Sequence, residues 1–193
     1  MNIRTLPPLT PDEFLRHPAL QGERCELSEG RVVMMTGASR AHIDIAGDLF
    51  VFLRRVLDRR RYFVAVSDLA IRIGRSVRYP DVAVDVQSSD RKGLTAISPL
   101  VIAEIASPST MATDFGPKVR EYTSLPSLLT YLVLSQDEPR VWLWRRGDDG
   151  TFPEEPQMLV GRAATISLPG LDLAVPLADI YCDDAGNEAP PAA

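Results

Sequence analysis

The run Pro99-Leu100-Val101-Ile102-Ala103-Glu104-Ile105-Ala106 sets one carboxylate in the middle of the most apolar stretch of the chain. Aliphatic residues fill even and odd positions alike, which predicts a strand buried on both faces. An ionised side chain there is costly unless opposite charge, hydrogen bonds or a metal ion compensates it. The run holds no Lys or Arg, so a partner for Glu104 has to come from elsewhere in the fold. Two segments offer candidates. Arg78-Tyr79-Pro80-Asp81-Val82-Ala83-Val84 puts Asp81 at the mouth of a second apolar strand, and Lys118 follows Glu104 by fourteen residues at the start of a helical stretch.

The remaining pattern predicts an α/β (α+β) chain with a central mixed sheet flanked by helices. Thr10-Pro11-Asp12-Glu13 is a capping box with Pro at the first helical position. Cys25 to Leu27 and Arg31 to Met35 read as a hairpin around Ser28-Glu29-Gly30. Ser39 caps a long helix to about residue 60, with Ile43, Ala46, Leu49, Phe50, Leu53, Val56 and Leu57 at helical spacing. Strands are expected at Tyr62–Val66, Leu69–Ile73, Tyr79–Val86 and Leu100–Ala106, the last broken by Ser107-Pro108-Ser109-Thr110. Asp114 is expected as the N-cap of a helix through Ser124, with Pro117 tolerated in the first turn. Leu128–Leu134 and Arg140–Arg146 read as a strand pair, followed by a short strand near Ala164–Leu168 and a helical turn near Leu177–Tyr181. Residues 1–182 are most economically one domain. Asp183 to Ala193 reads as a disordered acidic Ala/Pro tail.

With 45% hydrophobic and 24% charged residues the composition is that of an ordinary water-soluble domain. The apolar stretches fall short of a membrane span, and the N-terminus lacks signal-peptide regions, so a cytoplasmic location is expected. Cys25 and Cys182 are too few for a disulfide framework or a zinc site. A net charge of −5 argues against a general DNA-coating protein. The charge is uneven, with 15 basic and 12 acidic residues in 1–100 against 6 and 14 in 101–193. The basic excess gathers in Arg54, Arg55, Arg59, Arg60 and Arg61, then Arg72, Arg75 and Arg78. Each alone reads as solvated surface; as a group they could contact phosphates.

On a strand, Asp81 shares a face with Ala83 and Asp85, and Glu104 shares one with Ile102 and Ala106. If the two strands are neighbours, Asp81 and Glu104 can converge on one hard cation, which prefers oxygen ligands and keeps several waters. Asp85 lies roughly 13 Å farther along its strand, too far to share that ion. Asp, Glu and Lys carried on strand, strand and helix suit metal-dependent phosphodiester hydrolysis. Competing structural readings exist for each: turn chemistry for Pro80-Asp81, a salt bridge for Glu104, a surface helix position for Lys118. Against the last, Lys92 and Lys118 are the only lysines among 21 basic residues, so a compact ammonium is kept where Arg is otherwise the rule. Asp114, Lys118 and Tyr122 are spaced to share one helix face. His17 and His42 are too few for a histidine metal site, and Glu26 reads as a solvated hairpin residue.

Four segments then carry a resemblance: Glu23-Arg24-Cys25-Glu26-Leu27-Ser28-Glu29-Gly30, Tyr79-Pro80-Asp81-Val82-Ala83, Leu100 through Thr110, and Asp114 through Lys118 to Tyr122. Over roughly residues 10 to 181 the chain resembles the Uma2 family of restriction endonucleases within the PD-(D/E)XK nuclease superfamily. The resemblance implies a PD-(D/E)XK core with Asp81 and Glu104 as ligands of Mg²⁺ or Mn²⁺. The superfamily's usual lysine would fall at Ala106 and is absent; Lys118 on the following helix stands in its place. Glu26 and His42 match residue types often found in the family, as supporting groups. Departures from the family pattern are Pro117 and the segment Pro126-Ser127-Leu128-Leu129-Thr130-Tyr131.

The expected function is that of a Mg²⁺- or Mn²⁺-dependent DNA endonuclease, with the Ile105 carbonyl as a third metal ligand beside Asp81 and Glu104 and with Lys118 against the developing negative charge. The alternative is a nucleic-acid-binding or regulatory protein that keeps the fold without turnover. A homodimer is carried as an expectation, because one site per chain cuts one strand at a time.

Overall fold

The computed structural model describes residues 6–107 and 110–182. The segment 183–193 expected to be disordered, and Pro108-Ser109 of the expected strand break, lie outside the described residues. In chain order the regular elements are α1 (Pro11–Arg16), β1 (Cys25–Ser28), β2 (Arg31–Met34), α2 (Arg40–Val56), β3 (Tyr62–Val66), β4 (Ile71–Ile73), β5 (Ser76–Arg78), β6 (Val82–Val86) and β7 (Val101–Ala106). They continue with α3 (Met111–Asp114), α4 (Pro117–Thr123), β8 (Thr130–Ser135), β9 (Arg140–Arg145), β10 (Gln157–Val160), β11 (Thr165–Leu168) and β12 (Leu173–Pro176).

Local chemistry explains several boundaries. The capping box of α1 closes as expected, with the Thr10 amide donating to Glu13 Oε2 at 2.7 Å and the Glu13 amide to Thr10 Oγ1 at 3.3 Å. The β1–β2 turn uses two left-handed residues, Glu29 (φ 49°) and Gly30 (φ 82°), the conformation a tight hairpin of native twist requires. Ser39 caps α2 by accepting the His42 amide at 3.1 Å. The helix stops at Val56 rather than near residue 60. Asp58 takes the chain out of it, its Oδ1 accepting the Arg60 amide and its carbonyl those of Arg61 and Tyr62.

Two sheets result. The larger has the order β10-β9-β8-β7-β6-β3, with β7 and β8 parallel and the other pairs antiparallel; the smaller runs β2-β1-β5-β4. The β7-to-β8 crossover carries α3 and α4, as parallel neighbours require. The central strands β7 and β8 are buried at every position. Val82, Val84, Val101, Ala103, Ile105, Leu132 and Leu134 face α2, through Ile45, Leu49 and Leu53. Ala83, Ile102, Ala106, Tyr131 and Val133 face the opposite side, towards Tyr122 of α4.

The expected strand Tyr79–Val86 begins only at Val82, and Ser76–Arg78 ahead of it forms a separate strand that the sequence pattern does not predict. Ser76–Arg78 belongs to the small sheet and Val82–Val86 to the large one, so Tyr79-Pro80-Asp81 is where the chain passes between sheets. Proline has no amide to offer a ladder, which suits this point of transfer. The expected helix from an Asp114 cap through Ser124 begins instead at Pro117 and ends at Thr123, with a short α3 ahead of it. Gly116 (φ −113°, ψ −103°) separates α3 from α4, because a residue before proline is driven out of the helical region. Asp114 therefore ends α3 and is not an N-cap. Pro117 does occupy the first position of α4. Among the described residues no helix is long and apolar enough to cross a membrane.

The α2 packing gives a test of this layering. Leu49→Ala, at a residue 1% exposed, should cost about 2–5 kcal/mol in urea denaturation. Val51→Ala on the same helix, at 58% exposure, should stay within about 0.5 kcal/mol. Equal losses would mean that α2 packs on a different face.

Candidate active site

The antiparallel register of β6 and β7 sets Val82 opposite Ala103 and Ala83 opposite Ile102. One further step places Asp81 opposite Glu104, at the end of β6 where the ladder begins. The Glu104 side chain shares the Ile102 and Ala106 face, under α4. There the Lys118 ammonium lies 2.9 Å from Glu104 Oε1, and the Tyr122 hydroxyl donates to the same oxygen at 2.7 Å. Lys118 Nζ is also 3.1 Å from Asp114 Oδ1. Asp81 is held from two sides: Oδ2 accepts the Ile105 amide at 2.7 Å, and Oδ1 lies 2.9 Å from His42 Nε2. A strand residue's N–H and C=O leave by the same edge, so the Ile105 carbonyl faces the Asp81 side as well.

Charge is unevenly matched. Glu104 and Lys118 are only 4% and 6% exposed, and Asp114 1%. Burial, with Asp81, Asp114 and Glu26 adding to it, pushes the Glu104 carboxyl up to about 8, against the pull of Lys118. Burial also raises Asp114. For Lys118 burial works the other way, yet the carboxylates of Glu104, Glu26 and Asp114 outweigh it and keep the ammonium protonated well above its ordinary range. Tyr122 and Tyr131 are held as neutral phenols, by burial first and then by Glu104. The Asp114 carboxylate is buried beside the Lys118 ammonium and Thr110, both of which oppose the rise in its pKa. Glu104 and Asp114 thus share the Lys118 ammonium, while Asp81 faces His42 and Glu26 faces a buried arginine, so carboxylates outnumber the buried cations.

A second network holds the rest of the wall. Arg78, 2% exposed, forks onto Glu121 through Nε (2.7 Å) and Nη2 (2.9 Å) and reaches Glu26 Oε2 through Nη1 at 3.0 Å. Its other contact is Ser28 Oγ at 3.0 Å, and Glu26 Oε1 accepts the Tyr79 amide. Burial opposes the Arg78 charge, but Glu121 and Glu26 raise its pKa further. A cavity of about 460 Å³ opens beside both networks, lined among others by Glu26, His42, Asp81, Glu104, Ile105 and Lys118.

The structure therefore brings together Asp81, Glu104, Ile105, Lys118, Glu26, His42, Asp114 and Tyr122. It does not bring the arginine cluster there. Arg54, Arg55, Arg59, Arg60 and Arg61 lie at the far end of α2 from His42, roughly 20 Å along the helix. Arg54 lies over the Phe50 ring and Arg61 over that of Tyr62. Glu26 is buried, contrary to the solvated hairpin position expected of it; the apolar Cys25 and Leu27 beside it were the available signal. Arg78 is likewise an internal ion-pair residue rather than part of a surface patch. Asp85 is a structural acceptor, its carboxylate taking the amides of Ile97 (2.8 Å) and Ser98 (2.6 Å). Glu121 went unnoticed in the sequence, where it reads as one more helix acid. Cys25 and Cys182 are both free.

The oxygen-only donor set suits a hard cation. Among the described residues no three His, Cys, Asp or Glu side chains converge as a metal cage. The protein's share would be the two strand carboxylates and the Ile105 carbonyl, with water completing the shell as Mg²⁺ commonly requires.

One acid at the mouth of a sheet strand and one inside its neighbour, with a lysine delivered from the following crossover helix, sit on a restriction-endonuclease-like nuclease fold. A crystal structure of a "putative nuclease belonging to DUF820" from Anabaena variabilis superposes with a TM-score of 0.71 at 19% identity, over 90% of this chain and 98% of that one. The Uma2 family model, described as "Putative restriction endonuclease", matches residues 11–177, and the chain belongs to that family. Two uncharacterised proteins of Synechocystis sp. are relatives. One, slr1290, is 35% identical over 149 residues, covering 76% of this chain and 78% of its own. The other, sll1609, is 30% identical over 141 residues, covering 70% and 80%.

The raised Glu104 pKa has a direct consequence for stability. In the fold this carboxyl keeps a proton that the unfolded chain releases near pH 4.3. Its contribution is complete below that pH and is lost as pH rises through about 8. In EDTA, the melting temperature should therefore fall between pH 5 and 8, and Glu104→Gln should flatten the fall. An identical pH profile in the variant would show that Glu104 does not titrate in this window.

Proposed function

We propose that this protein is a Mg²⁺- or Mn²⁺-dependent endonuclease that hydrolyses phosphodiester bonds in DNA. The observation that carries the reading is the meeting of Asp81, Glu104 and the Lys118 ammonium in one cleft, from two adjacent strands and the helix that follows. Asp81, Glu104 and the Ile105 carbonyl would hold the ion, which supplies Lewis acidity towards water and the phosphate oxygens. The family and fold are those of a nuclease; metal dependence and turnover are the proposal.

The chain's own residues have separable roles. The Ile105 amide and His42 fix the two oxygens of Asp81, so that its orientation is set before substrate arrives. Tyr122 and Lys118 do the same for Glu104 Oε1, leaving Oε2 for the cavity. The Lys118 ammonium, charged throughout the working pH range, offsets negative charge that builds on the phosphate in the transition state. Asp114 balances that ammonium from behind. Because each chain carries one such site, cutting both strands of a duplex would take two copies, which is the reason to include a homodimer in the proposal.

Cleavage of labelled DNA and RNA, single- and double-stranded, with Mg²⁺, Mn²⁺ or EDTA tests this. Wild type should cut only with divalent cation, and Asp81→Asn, Glu104→Gln or Lys118→Ala should each lower the rate about 10²–10³-fold. Lys118→Arg should recover only part, since a planar guanidinium does not replace a compact ammonium. Mg²⁺ should also raise the wild-type melting temperature by binding linkage, and the carboxylate variants should lose that rise. A folded wild type that neither cuts nor responds to either ion would count for the non-catalytic reading instead.

A further inference from the structure

Asp81 stands between two cavities. The reaction cavity lies on one side, and on the other a space of about 490 Å³ opens between the start of the chain and the β3–β4 turn. Three residues line both: Arg24, Met35 and Asp81. The Met35 amide donates to the Arg24 carbonyl at 2.8 Å, which fixes the two side by side at the open end of the β1–β2 hairpin. Arg24 is exposed, and its guanidinium has no ion pair or hydrogen bond among the described residues. A free guanidinium on the saddle between two cavities, beside a reactive-site carboxylate, is placed to take a phosphate oxygen.

The second cavity is chemically different from the first. Its walls include Phe14, which is buried in the core, the half-buried Tyr79, and the acids Glu23 and Asp68. Burial first, then Cys25, Asp68 and Glu26, raises the Tyr79 hydroxyl, so it remains a neutral phenol. Ser67 and Asp68 are consecutive non-glycine residues in the left-handed region (φ 48° and 52°), a conformation that holds Asp68 out on an exposed two-residue tip. The tip is tied to the reactive centre, since the Ser67 amide donates to the Asp81 carbonyl at 2.9 Å. Carboxylates repel phosphate, so the interior is not a second backbone site. The half-buried Tyr79 ring with a carboxylate acceptor nearby suits a base: a π-face to stack on and an acceptor for an exocyclic amino group.

We propose that the second cavity receives an unpaired nucleotide next to the cleaved phosphodiester, with Arg24 holding the phosphate between the two cavities and Asp68 accepting from the base's amino group. The proposal rests on the nuclease reading above. It narrows the substrate to single-stranded DNA or a strand with a displaced nucleotide, because a base stacked in an intact duplex cannot enter a recess. It also favours a base bearing an amino donor, such as cytosine, over thymine, which presents a carbonyl and a methyl group there.

Fluorescence anisotropy in EDTA, with oligo(dC), oligo(dT) and a duplex of equal length, separates binding from cleavage. Wild type should bind oligo(dC) about tenfold more tightly than oligo(dT), and the duplex more weakly than oligo(dC). Asp68→Gly should reduce the dC/dT ratio towards one, since it removes the acceptor and glycine takes the left-handed backbone of this position without strain. Arg24→Gln should weaken both oligonucleotides about equally and lower the salt dependence of binding. Measurable binding with equal affinity for oligo(dC) and oligo(dT), or an unchanged ratio in Asp68→Gly, overturns the nucleotide pocket and leaves the nuclease reading standing. Tighter binding of the duplex overturns it as well. Failure of every form to bind any of the three, together with no divalent-dependent cleavage, removes both.

Discussion

Glu104 is the constraint around which the rest of this protein is arranged. A carboxylate in the middle of a sheet's central strand cannot be solvated, and its single ammonium partner is shared with Asp114. With the Asp81 and Glu26 carboxylates close enough to raise Glu104 further, the cleft carries more negative charge than its own bases neutralise. Such an arrangement is poor as a stabilising ion pair, since burying charges tends to cost what their attraction returns. It is well suited to attract a divalent cation. The same surplus explains why Lys118 remains protonated although it is buried.

Arg78 links that cleft to the small sheet. Its guanidinium joins β5 to α4 through a two-pronged contact with Glu121 and to β1 through Glu26, and Ser76 Oγ adds a further bond to Glu121 at 2.8 Å. Lys118, Glu121 and Tyr122 fall at i, i+3 and i+4, so one face of α4 addresses Glu104 and Arg78 together. The chain passes from the small sheet to the large one three residues after Arg78, at Asp81. The smaller sheet is thus the brace that sets where the first metal-binding candidate and the lysine-bearing helix stand relative to each other.

How much of this the sequence disclosed follows from where the signals are local. The strand β7 was legible because its apolar run is continuous, and Glu104 because it interrupts that run. The cap at Ser39 and the box at Thr10 are properties of four residues each. The passage between sheets at Tyr79-Pro80 was read as the start of a strand, and Ser76–Arg78 was not read as one, because three residues are too few to show a period. Glu26, Arg78 and Glu121 looked like surface charges for a related reason. Each is satisfied by residues 43 to 52 positions away, and a long-range pairing leaves no periodicity behind. Lys118 was found from its chemistry and its spacing, not from any sign of burial.

The break at Gly116-Pro117 shows why the lysine's position is a tertiary property. Seven residues are too few for α4 to persist alone in water. It is fixed instead by contacts on three sides. Glu121 binds Arg78, Tyr122 packs on Tyr131 with ring centroids 5.1 Å apart, and Tyr131 donates to the Asp114 carbonyl at 3.0 Å, fastening the end of α3 to the sheet. Tyr131 in turn stacks on Trp144 at 5.5 Å, so the aromatic layer runs from the cleft into β9. A lysine on a sheet strand would inherit its place from the ladder. One on a short crossover helix needs this separate scaffold, and the buried Arg78 fork and the tyrosine pair supply it.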